Sequence, residues 1–195
     1  MKRKFSIIAV SPVCLLALLC IKCLYSQNPI SPPGVYIADP SARVWNDGRL
    51  YVYGSLDESC GYYCSNRHHL LMTSDIKSWQ LVEDIFSSAG TGDGVPYNDI
   101  VLYAPDAAYR DGTWFLYYCQ PDRNFAEGVA ISERPAGPFH DGVSIDLKGY
   151  NQIDPAIFTD TDGTVYYLWG QFTLKMGMLK QNMIELEPGS VKDSI

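Results

Sequence analysis

Two aspartates stand out because each is followed directly by proline: Asp39 in the segment ADPSAR and Asp154 in the segment IDPAIF. Proline disfavours helical backbone in the residue before it, so we expect it to hold each aspartate extended and to fix the direction of its carboxylate. Two carboxylates held in fixed directions can divide general acid–base chemistry between them. The alternative is that each Asp-Pro pair only begins a turn.

Both aspartates belong to a motif that occurs three times in the chain. The copies are ADPSARVWNDGRLYVYGS at 38–55, YAPDAAYRDGTWFLYYCQ at 103–120 and IDPAIFTDTDGTVYYLWG at 153–170. Each copy carries an Asp-Gly pair between runs of β-branched and aromatic residues, which predicts a tight hairpin turn. The Asp-Gly pairs are 64 and 51 residues apart. This spacing is typical of four-stranded propeller blades with variable loops.

The repeat therefore predicts an all-β fold built from propeller blades. Interior strands are predicted at Leu50–Tyr53, Trp114–Tyr118 and Thr164–Trp169, and outer strand pairs at 68–82, 127–140 and 174–186. Three blades cannot close a ring, since propellers have at least about four. The chain is predicted to lack roughly two blades at its C-terminus.

In a propeller the innermost strand of each blade lines the central channel. Asp39 and Asp154 hold equivalent positions two blades apart, so their carboxylates are expected to converge at one mouth of that channel. Converging carboxylates suggest glycoside hydrolysis, which needs one group as base or nucleophile and one acid to protonate the leaving oxygen.

Residues 1–26 have the pattern of a secretory signal peptide, with three basic residues followed by an apolar run. The run is too short and too interrupted for a stable membrane span. Its removal takes away four positive charges and no acid, which lowers the net charge from −7 to −11. Such an acidic protein is not expected to bind nucleic acid. We expect residues 27–195 to be a secreted, periplasmic or cell-surface domain, and the sequence makes no prediction of its oligomeric state.

Three cysteines lie beyond the signal: Cys60, Cys64 and Cys119. The first two are in the segment CGYYC and could form a disulfide in an exported protein, or the cysteines could remain free thiols. A zinc site with the nearby His68 and His69 is the alternative, but adjacent histidines point in different directions on a strand. We expect these histidines on a strand surface.

The three motifs, in this order and spacing, resemble those of glycoside hydrolase family 43, which comprises β-xylosidases, α-L-arabinofuranosidases and arabinanases. The resemblance spans about residues 28–187 and implies a five-bladed β-propeller that hydrolyses O-glycosyl bonds with inversion. It implies that Asp39 is the general base and that Asp154 sets the pKa of the general acid. The family's general acid is a glutamate of the fourth blade, for which the chain offers no match. The 195 residues are therefore expected to be an N-terminal fragment that is inactive alone.

The resemblance also suggests sugar-binding residues in the second copy of the motif. Tyr103 stands where the family often has tryptophan, and Asp106 follows three residues later, so both are candidates for substrate contact. The expected partner is an oligo- or polysaccharide of the plant cell wall, and no cofactor is expected, while a structural calcium ion in the channel stays open. Two other functions stay open. One is a propeller that binds sugar without cleaving it, and the other is the sucrose and fructan branch, whose motif has asparagine where Ala38 stands.

Overall fold

The computed structural model describes residues 30–58, 61 and 63–195, so the predicted signal peptide at 1–26 and Cys60 lie outside the described residues. The unit Ser31–Ile195 is built from three four-stranded antiparallel sheets. The first sheet contains β1 (Tyr36–Val44), β2 (Leu50–Asp57), β3 (Arg67–Thr73) and β4 (Gln80–Ser87). The second contains β5 (Pro105–Arg110), β6 (Thr113–Cys119), β7 (Glu127–Ser132) and β8 (His140–Ser144). The third contains β9 (Ala156–Thr159), β10 (Val165–Trp169), β11 (Lys175–Met178) and β12 (Lys192–Asp193).

Each sheet is a simple meander in which consecutive strands pair, as expected for a propeller blade. The predicted interior strands are confirmed as β2, β6 and β10. One outer pair was misplaced, because the last strand of the third sheet is β12 at 192–193 and not part of 174–186. Residues 179–186 instead form a hairpin closed by a bridge between Leu179 and Leu186. In the part of the chain that the structure describes, no helix is long and apolar enough to cross a membrane.

The Asp-Gly pairs occupy the hairpins between the first two strands of each sheet. In the second sheet the loop consists of Asp111 and Gly112 alone, with φ angles of 50° and 89°. Two successive positive φ values match the right-handed twist of the flanking strands, which is why Asp-Gly suits this turn. The prediction of tight hairpins is confirmed here, while the loops at Asp47-Gly48 and Asp162-Gly163 are longer.

The hydrophobic core lies between neighbouring sheets. Side chains on β6 alternate between two apolar clusters: Phe115 and Tyr117 face the third sheet, and Leu116 and Tyr118 face the first. Both faces of this strand are therefore buried, which explains its continuous apolar sequence without a polar alternate. Face-to-face packing of this kind fixes the angle between sheets and brings the innermost strands β1, β5 and β9 side by side.

Candidate active site

The entrance of each innermost strand carries the same irregularity. Ala38 pairs with Ser55 and Ser41 pairs with Tyr53, so Asp39 and Pro40 together lie opposite the single residue Gly54. An extra residue of this kind is a β-bulge, which bends the strand and redirects a side chain. Proline suits the bulge because it has no N–H to contribute to the ladder.

The third sheet repeats this bulge at the second aspartate. The amide of Gly170 donates to the carbonyl of Ile153, and Ala156 pairs with Leu168, so Asp154 and Pro155 lie opposite one residue. The second sheet has Ala104 at the equivalent position. The repeated motif therefore encodes a repeated bulge, and two of its three copies carry a carboxylate there.

Both aspartates have a left-handed backbone, with φ of 47° at Asp39 and 73° at Asp154. The prediction that proline holds them in an extended conformation was wrong. The bulge imposes a turn that proline at the next position does not prevent, and aspartate is among the residues that tolerate positive φ best. Backbone in this region costs free energy and is concentrated at functional sites.

Three of the four residues predicted to form the site line a single cavity of about 370 Å³: Asp39, Tyr103 and Asp154. This volume lies within the ~300–1,000 Å³ range of small-molecule sites. The Oγ of Ser55 donates to Oδ2 of Asp39 at 3.4 Å and to the carbonyl of Ala38 at 3.3 Å. Both carboxylates remain exposed to the cavity.

The two carboxylates interact electrostatically. Partial burial raises the pKa of Asp154, and the negative charge of Asp39 raises it further. Two negative charges in one cavity destabilise each other, so the charge of Asp39 favours the protonated form of Asp154. The cavity therefore places the negative charge of Asp39 within electrostatic reach of the Asp154 carboxylate.

Asp106, the fourth predicted residue, lies elsewhere and is enclosed, with its side chain 3% exposed. Its carboxylate accepts hydrogen bonds from Ser41 and Arg43 on β1 and, at 2.6 Å, from the amide of Ile157 on β9. The same Arg43 donates to the carbonyl of Ile157 at 2.9 Å. These contacts join the three innermost strands, so Asp106 stabilises the arrangement of the strands that carry the site. A direct contact of Asp106 with sugar stays a prediction.

Beneath the cavity lies a buried polar layer that the sequence analysis did not identify. The thiol of Cys119 donates to the carbonyl of Ala104 at 3.4 Å and accepts from the amide of Asp154 at 3.3 Å. Glu127 pairs with Cys119 across β6 and β7 and accepts a hydrogen bond from the hydroxyl of Tyr167. Burial is the main cause that raises the pKa of Glu127, followed in the same direction by the charge of Asp154. A glutamate at an inward position of the apolar strand AEGVAIS is the signal that could have revealed this layer.

The two histidines are not on a strand surface as predicted, because both side chains are buried. His68 donates from Nε2 to the carbonyl of Tyr103 at 2.7 Å, and burial lowers its pKa to about 4. His69 accepts the amide of Asp84 at Nδ1, at 3.1 Å. Each ring thus forms a hydrogen bond with a backbone group, and the bond from His68 fixes the carbonyl of Tyr103 at the entrance of β5.

The disulfide predicted for the segment CGYYC involves Cys60, which lies outside the described residues. Cys64 and Cys119 are both buried, and a disulfide between Cys60 and Cys64 stays a prediction. Across residues 30–58, 61 and 63–195, no three side chains of histidine, cysteine, aspartate or glutamate come together in a set that could hold a metal ion.

Comparisons with known proteins show similarity in both sequence and fold. The chain is 37% identical over 145 residues to a xylosidase/arabinosidase 43A of Humicola insolens, an alignment that covers 70% of this chain and 44% of that protein. It is 26% identical over 194 residues to an extracellular endo-α-(1→5)-L-arabinanase 2 of Bacillus subtilis, covering 87% of this chain and 41% of that protein. Among solved structures, a GH43 β-xylosidase/α-arabinofuranosidase from a compost microbial metagenome, in complex with xylotriose, superposes with a TM-score of 0.69 at 26% identity. That superposition covers 85% of this chain and 61% of the other.

The chain thus spans about half the length of the curated relatives it matches. The family model for glycosyl hydrolases family 43 matches residues 26–193 and includes all three copies of the motif. Since that match extends over most of the sequence, the chain belongs to glycosyl hydrolases family 43.

Proposed function

We propose that this chain is part of a secreted glycoside hydrolase with a five-bladed propeller, which removes xylosyl or arabinofuranosyl units from plant cell-wall polysaccharides with inversion. The observation that carries the proposal is the shared cavity of Asp39, Tyr103 and Asp154. Two findings from the comparisons support the proposal: the chain belongs to glycosyl hydrolases family 43, and the relatives are named as xylosidases, arabinosidases and arabinanases.

In the proposed reaction Asp39 acts as the general base. Its exposed carboxylate takes a proton from a water molecule while that water attacks the anomeric carbon from the face opposite the leaving group. The bond from the anomeric carbon to the glycosidic oxygen breaks, and a carboxylic acid on the far side protonates that oxygen. Base and acid would stand roughly 6.5–9.5 Å apart to leave room for the water.

Asp154 has a separate role in this proposal. A charged aspartate near the general acid raises the pKa of that acid and keeps it protonated near neutral pH. The left-handed backbone of Asp154 and the bond from its amide to Cys119 fix the position from which this charge acts. The family resemblance assigns the general acid to a glutamate, and no glutamate lines the cavity among the residues that the structure describes. Glu185 and Glu187 are exposed, and Glu185 pairs with Lys180, as expected of surface residues.

The test compares full-length wild-type protein with the variant Asp39→Asn on nitrophenyl β-D-xyloside and nitrophenyl α-L-arabinofuranoside. Loss of a general base should lower kcat/KM about 10²- to 10⁴-fold. Asp111→Asn is the matched control, because Asp111 has a similar φ of 50° but lies on an exposed hairpin with its side chain 92% exposed. Proton NMR of the first sugar released should show the inverted anomer. Retained activity in Asp39→Asn would remove Asp39 from the role of base.

A sugar-binding propeller without hydrolysis is the second candidate, favoured by the lack of a glutamate among the described cavity residues. Wild-type protein that binds xylo- or arabino-oligosaccharides without cleaving any of them would establish this alternative.

A further inference from the structure

A second cavity lies at the far ends of the innermost strands, away from Asp39 and Asp154. Its volume is about 270 Å³, and its wall includes Trp45, which follows β1, Tyr109 near the end of β5, and Thr159, the last residue of β9. Six residues separate Asp39 from Trp45, a distance of up to ~20 Å along an extended strand. Among the described residues, none lines both this cavity and the cavity of Asp39. We call it the distal cavity.

Polar contacts that join the innermost strands lie between the two cavities. Arg43 stands on β1 between Asp39 and Trp45, and its Nε and Nη2 atoms donate to the carboxylate of Asp106. Nη2 also donates to the carbonyl of Ile157 at 2.9 Å, and both Arg43 and Ile157 line the distal cavity. Within the described part of the chain, Nη1 takes part in no hydrogen bond. Since the side chain is 32% exposed, these N–H groups are available to a ligand.

Three aromatic side chains contribute to the wall of the distal cavity: Trp45, Tyr109 and Trp114. The ring centroids of Tyr109 and Trp114 are 4.6 Å apart and their planes are inclined by 45°, so the two rings form one angled surface. Nε1 of Trp45 donates to the hydroxyl of Tyr53 at 3.0 Å, which fixes the indole ring. Tyr109 is 40% exposed, and its hydroxyl accepts the amide of Gly112 at 3.1 Å. The aromatic surface is therefore in place before any ligand binds, which lowers the entropic cost of binding.

The polar side chains of the wall have free hydrogen-bonding groups and little net charge. Asn46 and Thr159 are exposed, and their side chains form no hydrogen bond with any described residue. Arg43 is the only charged residue in the described wall, and Asp106 balances its charge. The cavity therefore favours a neutral ligand over an anion.

These features together match a sugar ring. Sugar rings present C–H groups on their faces, which pack on aromatic rings, and hydroxyls on their edges, which bond to amide, hydroxyl and guanidinium groups. A purely apolar ligand would instead cover the polar groups of Arg43, Asn46 and Thr159 and leave them without partners. The volume lies just below the ~300–1,000 Å³ of sites for drug-sized ligands, so it suits one sugar ring and not a longer chain.

We infer that the distal cavity is a second carbohydrate site, which binds one neutral sugar unit of a glycan without cleaving it. No carboxylate lines it within the described residues, so general acid–base hydrolysis has no group to perform it there. The inference goes beyond the proposed function, because it concerns a separate cavity. A polysaccharide held at this site stays near the protein, which raises the effective concentration of its other units at the cavity of Asp39.

The test uses NMR of full-length Asp39→Asn protein with nitrogen-15 in its tryptophans. The probes are xylose, arabinose and glucuronate. Xylose or arabinose should shift the indole N–H signals of Trp45 and Trp114, and glucuronate should shift them less. The signal of Trp169 is the internal reference, because that side chain is fully buried and lines neither cavity. No shift with either neutral sugar would overturn the inference, and a larger shift with glucuronate would overturn the choice of a neutral ligand.

Two variants test the assigned residues. Tyr109→Ala should weaken the binding measured from the signals of Trp45 and Trp114 about tenfold, the effect of one aromatic contact. Asn46→Ala should also weaken it, and it should fold normally because Asn46 is exposed and its side chain has no partner among the described residues. Tyr150→Ala is the matched control, since Tyr150 is likewise 40% exposed but lines neither cavity. Unchanged affinity in both Tyr109→Ala and Asn46→Ala would overturn the site.

Hydrolysis separates this site from the proposed function. Tyr109→Ala in the wild-type background should lower kcat/KM several-fold on arabinoxylan and leave it unchanged on the nitrophenyl glycosides. Equal losses on both would overturn a role in holding the polymer. If wild-type protein hydrolyses no glycoside but a neutral sugar shifts the signals of Trp45 and Trp114, the proposed function fails and the distal site stands. If wild-type protein hydrolyses a nitrophenyl glycoside but neither neutral sugar shifts these signals, the proposed function stands and the distal site is overturned.

Discussion

The backbone amide of Asp154 donates a hydrogen bond of 3.3 Å to the sulfur of Cys119, which links the entrance of the third sheet to the second. The same thiol donates to the carbonyl of Ala104, the residue that occupies the bulge in the second sheet. One buried side chain therefore connects two of the three bulges that form the cavity. It fastens Asp154 in a left-handed conformation that would otherwise be unfavourable.

Cys119→Ala should consequently impair catalysis although Cys119 does not line the cavity. Removal of the thiol leaves the amide of Asp154 and the carbonyl of Ala104 without this partner, at a cost of ~1–3 kcal/mol in the free energy of unfolding. We expect kcat to fall about tenfold as Asp154 loses its fixed position, a loss of roughly 1.4 kcal/mol, while KM changes little.

Cys119→Ser separates positioning from general destabilisation. Serine can donate to Ala104 and accept from Asp154, so it should restore part of kcat and of the pH profile. Steady-state kinetics between pH 4 and 9 and urea unfolding provide both measurements. Full activity in a folded Cys119→Ala protein would contradict a positioning role.

Asp106 should prove to be a stability residue. Asp106→Ala leaves the guanidinium of Arg43 and the amide of Ile157 without their buried acceptor, and breaking a buried ion pair typically costs ~3–5 kcal/mol. Arg43 is 32% exposed, so water compensates in part and we expect the lower end of that range. The measurement is the free energy of unfolding in urea.

An exposed ion pair offers the control for this substitution. Arg67 and Asp84 lie 3.2 Å apart with side chains 56% and 51% exposed. Asp84→Asn removes the charge and keeps a residue that tolerates the positive φ of 51° at this position, so it should cost less than ~1 kcal/mol. A normal unfolding free energy in Asp106→Ala, combined with a raised KM, would instead favour the prediction that Asp106 contacts the sugar.

The electrostatic contact across the cavity can be measured directly. Because the charge of Asp39 raises the pKa of Asp154, Asp39→Asn should lower that pKa, although burial should keep it above the value of 3.8 typical of an aspartate. Carbon-13 NMR of the aspartate carboxyls during a pH titration reports the change. Asp111→Asn should have no effect on Asp154. An unchanged pKa in Asp39→Asn would mean that the two carboxylates do not share one electrostatic environment.

Sequence reasoning found the parts of the site that the repeat encodes. Asp39 and Asp154 could be predicted as a pair because the same Asp-Pro step recurs at matched positions. Tyr103 could be predicted because it enters the equivalent strand of the second copy at a position where the family that the sequence resembles often has tryptophan. The backbone at the two aspartates was predicted wrongly, since the local effect of proline is overridden by the bulge that pairing with the second strand creates. Local rules describe single residues, whereas the bulge is a property of two strands.

Other residues were not predicted, or were predicted without their contacts, because those contacts come from distant parts of the chain. Tyr63, in the loop between β2 and β3, lines the cavity, and the bridge between Ser65 and Leu102 holds the end of that loop beside Tyr103. Asp106 is enclosed by partners 63 and 51 residues away, so its burial has no local signature. Glu127 was also missed, although it has a local signature that could have revealed it, as an acidic residue at an inward position of an apolar strand.

Glu127 should make folding stability depend on pH in a direction opposite to that of an ion-paired acid. Its pKa is raised in the folded protein, chiefly by burial, so the folded state holds a proton that the unfolded state releases above about pH 4.5. The stability it contributes is fully present below that pH and is lost as pH rises towards the folded pKa. In that window the free energy of unfolding should fall by about 1.4 kcal/mol per pH unit from this group alone.

Glu127→Gln should remove this component, because a glutamine stays neutral at every pH and can still accept the hydroxyl of Tyr167. The measurement is urea unfolding of wild type and variant between pH 4.5 and 8, with Glu83→Gln on the exposed face of β4 as the matched control. We expect the wild-type and Glu83→Gln curves to run parallel and the Glu127→Gln curve to be flatter. Identical slopes in all three proteins would mean that Glu127 is ionised in the folded state, and its buried oxygen would then need a cationic or donor partner beyond Tyr167.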